Sequence, residues 1–204
     1  MADQRPKSQG LGRPVKSVFD QRAEDSVRFL LKHIGEDPDR DGLKDTPARV
    51  VKAWREMTSG VNEDPAQILS RTFDVEHDQM VIVRGIRFVS LCEHHVLPFV
   101  GTATVGYIPG KRVVGLSKIP RLVRCFARRL QVQERLTDQI AEAMVKYLKP
   151  RGVGVIIRAR HECMACRGVE QHTAEMVTSA LLGAVRKNPA ARQELLALSG
   201  PAAG

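Results

Sequence analysis

The chain has 204 residues, of which 43% are hydrophobic and only 4% aromatic, and it carries a formal net charge of +9. That is enough apolar material for one core with a small appendage, packed mostly by aliphatic side chains. No run reaches the roughly 18 apolar residues that a membrane helix needs. The polar, basic start MADQRPKSQGLGRPVKS lacks the apolar segment of an export signal. We therefore expect a cytoplasmic protein with no membrane partner. In a reducing setting, Cys92, Cys125, Cys163 and Cys166 point to metal or catalysis more than to disulfides. The charge fits nucleic acid, a highly anionic small substrate or a solvated basic surface, and it does not choose among them.

Residues 1–19 read as a flexible tail. DQRAEDSVRFLLKHIG places Ala23, Val27, Leu30, Leu31 and Ile34 on one helical face, with Gly35 as the stop. In TPARVVKAWREM, Thr46 suits an N-cap and Pro47 the first helical position, and Val50, Val51, Trp54 and Met57 form a stripe. Asp64-Pro65 repeats that start signal for a short helix. Residues 20–72 thus form an N-terminal helical segment.

From residue 79 the period changes. QMVIVRGIRFVSL and VGTATVGYI read as strands, and Pro109-Gly110 as a turn after which KRVVGL continues a hairpin. Two helices follow, SKIPRLVRCFARRL and VQERLTDQIAEAMVKYL, the second with Leu136, Ile140, Met144 and Tyr147-Leu148 in phase. GVGVIIRARHECM and GVEQHTAEMVTSA read as strands, and NPAARQELLAL as a last helix capped by Asn188. Residues 73–198 form the main domain, and 199–204 a disordered end. Helices first, then a sheet with two central helices, is an α+β order.

The chemistry gathers in two clusters. In LCEHHVLPF, Cys92 and His95 have C-x2-H spacing, which lets both side chains close on one ion from a tight turn. His161 and Cys163, at positions i and i+2 of an expected strand, point the same way. Cys92, His95 and Cys163 together give two thiolates and one imidazole. Zinc favours that set, and three protein ligands leave a fourth position for a water whose pKa falls to about 7. His94 and His161 remain as proton carriers. A purely structural zinc, with His94 or Cys166 as fourth ligand, uses the same residues and stays open on spacing alone.

In GLSKIPR, Ser117 suits a helix cap, and Lys118 and Arg121 lie in the first turns, where backbone N–H groups also favour anions. The alternative is a solvated basic face. Glu134 stands at a helix start, where a carboxylate can accept two N–H bonds from a guanine edge or simply face the helix dipole. Arg49 and Lys52 offer two cations within one turn, by themselves a surface feature.

LCEHH, PFVG, GYIPG, GLSKIPR, RRLQVQERLT and H-x-C-x3-RGV occur in this order, and the set closely resembles the GTP cyclohydrolase I family over about residues 20–198. The resemblance implies Cys92, His95 and Cys163 as zinc ligands, and His94 and His161 in proton transfer. It implies Glu134, with Gln133 beside it, as the guanine-binding pair. Ser117, Lys118, Arg121 and Arg167, with Arg49 and Lys52, are then the ribose and triphosphate site. The implied reaction opens the GTP imidazole ring hydrolytically at C8, releases formate and rearranges to 7,8-dihydroneopterin triphosphate. The implied fold is the tunnelling fold, an antiparallel sheet with two helices packed on one face plus N-terminal helices. The implied assembly is a homodecamer of two pentamers with active sites between subunits.

Two residues depart from the family pattern. Glu162 stands between His161 and Cys163, where it can pair with an arginine or tune the site, and Cys166 replaces a frequent methionine. No ligand is lost, so activity is expected. A sister protein binding another purine or pterin leaves the zinc trio unexplained. A zinc module binding RNA is motivated by the charge, but scarce aromatics and the lack of a Lys/Arg block speak against it. No nucleic-acid partner is expected.

Overall fold

The structure is a computed structural model and describes residues 17–200. The expected tail and the expected disordered end lie outside these residues, except for 17–19 and 199–200. The chain divides into two compact units, one ending at Trp54 and one beginning at Arg55. No helix among the described residues is long and apolar enough to cross a membrane.

The first unit opens with α1, Val18–His33. The Ser17 hydroxyl caps it by accepting the Asp20 N–H at 3.1 Å. It ends before Gly35, whose φ of 89° needs a residue without Cβ. Of the expected apolar stripe only Val27 is fully buried, while Leu30 and Ile34 are exposed. Periodicity fixes which residues share a face, not what covers that face. Helix α2, Thr46–Met57, buries Pro47 and Val51 and spans the boundary between the units.

The second unit begins with a 3₁₀ turn, Ser59–Asn62, and α3, Pro65–Leu69. The Asp64 side chain caps α3 through the Ala66 N–H, as Asp64-Pro65 predicted. Then come β1 (Thr72–Phe73), β2 (Val81–Cys92), β3 (Pro98–Ile108) and β4 (Val113–Val114). Next are α4 (Lys118–Ala127), β5 (Leu130–Gln131), α5 (Gln133–Leu148) and β6 (Gly152–His161). The chain closes with α6 (Glu162–Ala165), β7 (Met176–Gly183), α7 (Ala184–Lys187) and α8 (Pro189–Leu198). The main sheet has the order β5-β2-β3-β6-β7 and is antiparallel except for the short parallel β2–β5 pairing. The fold class is α+β, as expected.

Alternation builds the core. Ile86 and Phe88 of β2, Phe99, Ala103, Val105 and Tyr107 of β3, and Val153, Val155, Ile157 and Ala159 of β6 are buried in one cluster. Ile119, Leu122, Val123 and Phe126 of α4 and Leu136, Ile140 and Met144 of α5 join the same cluster. Two helices therefore cover one face, the arrangement that the tunnelling fold requires. On the opposite face Leu195 of α8 is seated between strands. A Cβ at Gly106 or Gly154 would stand 2.6 or 2.2 Å from its methyl groups, so a side chain at either position would displace Leu195.

The structure corrects several local expectations. KRVVGL does not continue a hairpin with β3. Its strand β4 pairs with β1, Thr72 opposite Val114, because both edges of β3 are already occupied by β2 and β6. The strand expected through HECM stops at His161, and Cys163 sits on the helical turn α6. The last strand begins only at Met176, so GVEQHTAE is not part of it. Ser117 precedes α4 but makes no side-chain capping bond.

Candidate metal centre and substrate pocket

The turn joining β2 to β3 carries the first cluster. The Val96 N–H donates to the Cys92 carbonyl and the Cys92 N–H to that of Leu97, each at 2.8 Å. Val96 takes φ 54°, a left-handed conformation that costs a β-branched residue energy and must be held by its surroundings. Two contacts hold it. The Glu93 N–H donates to the Gln131 carbonyl at 3.0 Å, and the Arg135 guanidinium grips the Glu93 carboxylate. Arg135 also donates to the Gln131 side chain at 3.0 Å, so the turn is fixed to the start of α5.

Cys163 reaches this turn from α6. The ligand atoms of Cys92, His95 and Cys163 all lie within 4.8 Å of one another, and Cys92 Sγ stands 3.8 Å from His95 Nδ1. Donors around a tetrahedral zinc, at about 2.3 Å for sulfur and 2.0 Å for nitrogen, stand roughly 3.5–3.8 Å apart. The cradle therefore fits such an ion with little closure. The expectation that His161 and Cys163 share a strand face fails, yet Cys163 still joins the trio, because the helical turn swings it back. Burial and then the adjacent Cys92 push the Cys163 thiol up, with a smaller opposing pull from Arg167. A thiol so raised loses its proton when a cation takes that proton's place, the behaviour of a metal ligand.

His161 ends β6 directly opposite Phe99 of β3. The two rings stack at 4.6 Å between centroids and 4° between planes. His161 Nε2 lies 2.9 Å from Gln133 Oε1. Burial lowers the proton affinity of His161, and the Glu134 charge opposes this more weakly. Glu134 stands exposed in the first turn of α5, where the helix dipole steadies a carboxylate. The metal trio, His94, His161 and Glu134 line one cavity of about 360 Å³ with Met176 and the 131–133 segment. That volume lies in the range of small-molecule sites.

The remaining expected site residues stand elsewhere. Arg167 reaches the metal turn, with its guanidinium 3.3 Å from His95 Nε2. Arg121 lines a separate groove of about 570 Å³ with Arg87, Arg124 and Arg128. Ser117 and Lys118, at the start of α4, do not line the metal cavity. Arg49 and Lys52 are exposed on α2 in the first unit, Arg49 pairing with Asp45 at 3.4 Å. Glu162 pairs with Arg160 at 2.7 Å, and Cys166 is exposed. Sequence reasoning missed Phe99, Glu93 and Arg135 as supports of the site. Only their places inside the two motifs, LCEHHVLPF and VQER, hinted at them.

Fold and site together define an α+β protein with a three-donor cradle that can hold a metal ion at the wall of a polar cavity. A family model described as GTP cyclohydrolase I matches residues 23–200. The GTP cyclohydrolase 1 of Mycobacteroides abscessus is 55% identical over 190 residues, covering 92% of this chain and 93% of that protein. That of Mycolicibacterium paratuberculosis is 57% identical over 183 residues, covering 88% and 90%. A solved structure, the archaeosine synthase QueF-Like in the apo form, matches at TM-score 0.42 and 19% identity, covering 51% of this chain and 93% of that one. The chain belongs to the GTP cyclohydrolase I family.

Proposed function

We propose that this chain is a zinc-dependent GTP cyclohydrolase I that opens the imidazole ring of GTP at C8, releases formate and forms 7,8-dihydroneopterin triphosphate at the start of folate and pterin synthesis. The observation that carries this reading is the convergence of Cys92, His95, Cys163, His94, His161 and Glu134 on one cavity from four separate elements. Zinc held by the trio supplies a Lewis acid that lowers the pKa of bound water to about 7.

The chain's own residues do the rest. Glu134 accepts the guanine ring N–H and exocyclic amine, which fixes the purine in the cavity. His161 lies against Phe99 with its orientation set by Gln133. A stacked, hydrogen-bonded imidazole whose proton affinity burial lowers is suited to exchange a proton with the purine. His94, exposed beside Glu93, is free to carry a second proton to or from solvent. Arg167 stands beside His95 of the metal turn. Ser117, Lys118, Arg121, Arg49 and Lys52 complete the ribose and triphosphate site. They bind the triphosphate without cleaving it.

Lys118 and Arg121 do not line the metal cavity, which supports active sites completed by a second subunit, and the reading includes a homodecamer. The sheet edges support the same assembly. Among the described residues no strand pairs with the outer edge of β2 over 81–90, nor with the outer edge of β7. Long unpaired edges invite another chain. The reading includes a cytoplasmic location, the domain limits 20–72 and 73–198, and no nucleic-acid partner.

The test is to incubate zinc-loaded protein with GTP and follow formate together with pterin absorbance. One formate per GTP, with the triphosphate intact, is the expected result. Stoichiometric zinc and an assembled oligomer without formate would overturn the assignment.

A further inference from the structure

We propose that Gln133 is a positioning residue that holds His161 as the Nε2–H tautomer and so fixes the orientation of its ring in the cavity. The inference rests on the reading of His161 as a proton carrier, and it gives Gln133 a task other than contacting guanine.

The argument starts from an amide with no freedom. Gln133 is 1% exposed. Its Nε2 faces the Ile157 carbonyl of β6 at 3.2 Å, the Met176 carbonyl of β7 at 3.0 Å and Thr178 Oγ1 at 3.1 Å. Carbonyl oxygens only accept, so the NH2 group must point at them. Turning the amide over would set its oxygen against two carbonyl oxygens in a water-excluded place. Gln133 Oε1 therefore faces His161, and an amide oxygen only accepts. The His161 nitrogen 2.9 Å away must be the donor.

The hydroxyls close the circuit. Thr137 is also 1% exposed, and its one proton goes to the Gln133 carbonyl at 2.7 Å. At 2.7 Å from Thr178, Thr137 can then only accept, so Thr178 donates to it. Thr178 Oγ1 in turn accepts from the Gln133 amide. The contacts thus run from β6 and β7 through α5 to the imidazole, with the two N–H groups of the amide shared among three acceptors. With Nε2–H committed to Gln133, the imidazole is held from one edge while Phe99 covers its face.

The test uses zinc-loaded protein labelled with ¹⁵N-histidine, read by solid-state NMR, with His161 assigned by the signals lost in His161→Asn. The wild-type protein should show Nε2 protonated and Nδ1 bare at neutral pH. Gln133→Met should keep zinc and give a mixture of tautomers. General acid–base groups contribute roughly 100- to 10,000-fold, so its kcat should fall at least about tenfold. Its KM for GTP should stay within about twofold, as expected when ground-state binding is untouched. Thr178→Val leaves both carbonyls in place and should keep the Nε2–H pattern. A wild-type His161 with Nδ1–H would overturn the proposal, whether or not any variant folds. So would Gln133→Met with unchanged tautomer, or with KM raised and kcat intact, the signature of a guanine contact. Formate release by the wild-type protein is scored separately, so a failure of the assignment is not confused with a failure of this circuit.

Discussion

Replacing Phe99 by leucine removes the surface on which His161 lies flat. Phe99 is fully buried, stacks on His161 at 4.6 Å and meets Phe88 edge-on at 6.0 Å. Aromatic pairs of this kind contribute about 0.5–1.5 kcal/mol each beyond their area. Leucine refills most of the volume, so the loss comes to about 2 kcal/mol, within the usual range for core changes. For a chain of this size 1 kcal/mol corresponds to roughly 2–4 °C, so the melting temperature should fall by roughly 4–8 °C. Metal and protein concentration must be held fixed during the scan, because both shift the apparent stability. Turnover should fall more than stability suggests, since the imidazole gains freedom to tilt, whereas zinc content should stay at one per chain. Formate release at saturating GTP and metal analysis read the two effects. A Phe99→Leu protein with wild-type turnover and melting temperature would refute the idea that this ring positions His161.

Two further changes probe the cavity. Cys163→Ala removes one of three donors and should abolish both zinc retention and formate release, so stoichiometric zinc in the purified variant would exclude Cys163 from the ligand set. Zinc at 100 times its Kd stabilises the wild-type fold by about 2.7 kcal/mol, and the variant should lose that zinc-dependent rise in melting temperature. Glu134→Ala should erase the preference for guanine over adenine nucleotides. Hydrogen bonds to a charged group contribute about 1.5–3 kcal/mol, so kcat/KM for GTP should fall by roughly 10- to 150-fold, and unchanged GTP affinity would rule the contact out.

Much of this was readable from residues alone, and the exceptions share a cause. Leu136, Ile140 and Met144 are each fully buried, as their helical spacing predicted. The C-x2-H pair and the later cysteine do come together. The reason given for Cys163 was incorrect, because nothing local in HECMACRG says where the strand stops. Chain pairing across long separations was equally invisible. Strand β4 joins β1 because the edges of β3 are taken, a fact set by β2 and β6. The stripe on α1 named residues that share a face without naming what lies against it. Gln133 looked like a companion to Glu134 because it precedes it. Only the carbonyls of two distant strands reveal that its amide is already spoken for.

The cradle's donors have a consequence for timing. Cys92 and His95 sit on one hairpin turn, while Cys163 is delivered only after α4, α5 and the strands β3 to β6 have been laid down. A chain emerging from the ribosome exposes two donors long before the third exists, and β6 must pair with β3 before the third arrives in place. The three-donor cradle is therefore complete only once the central strands have paired in register.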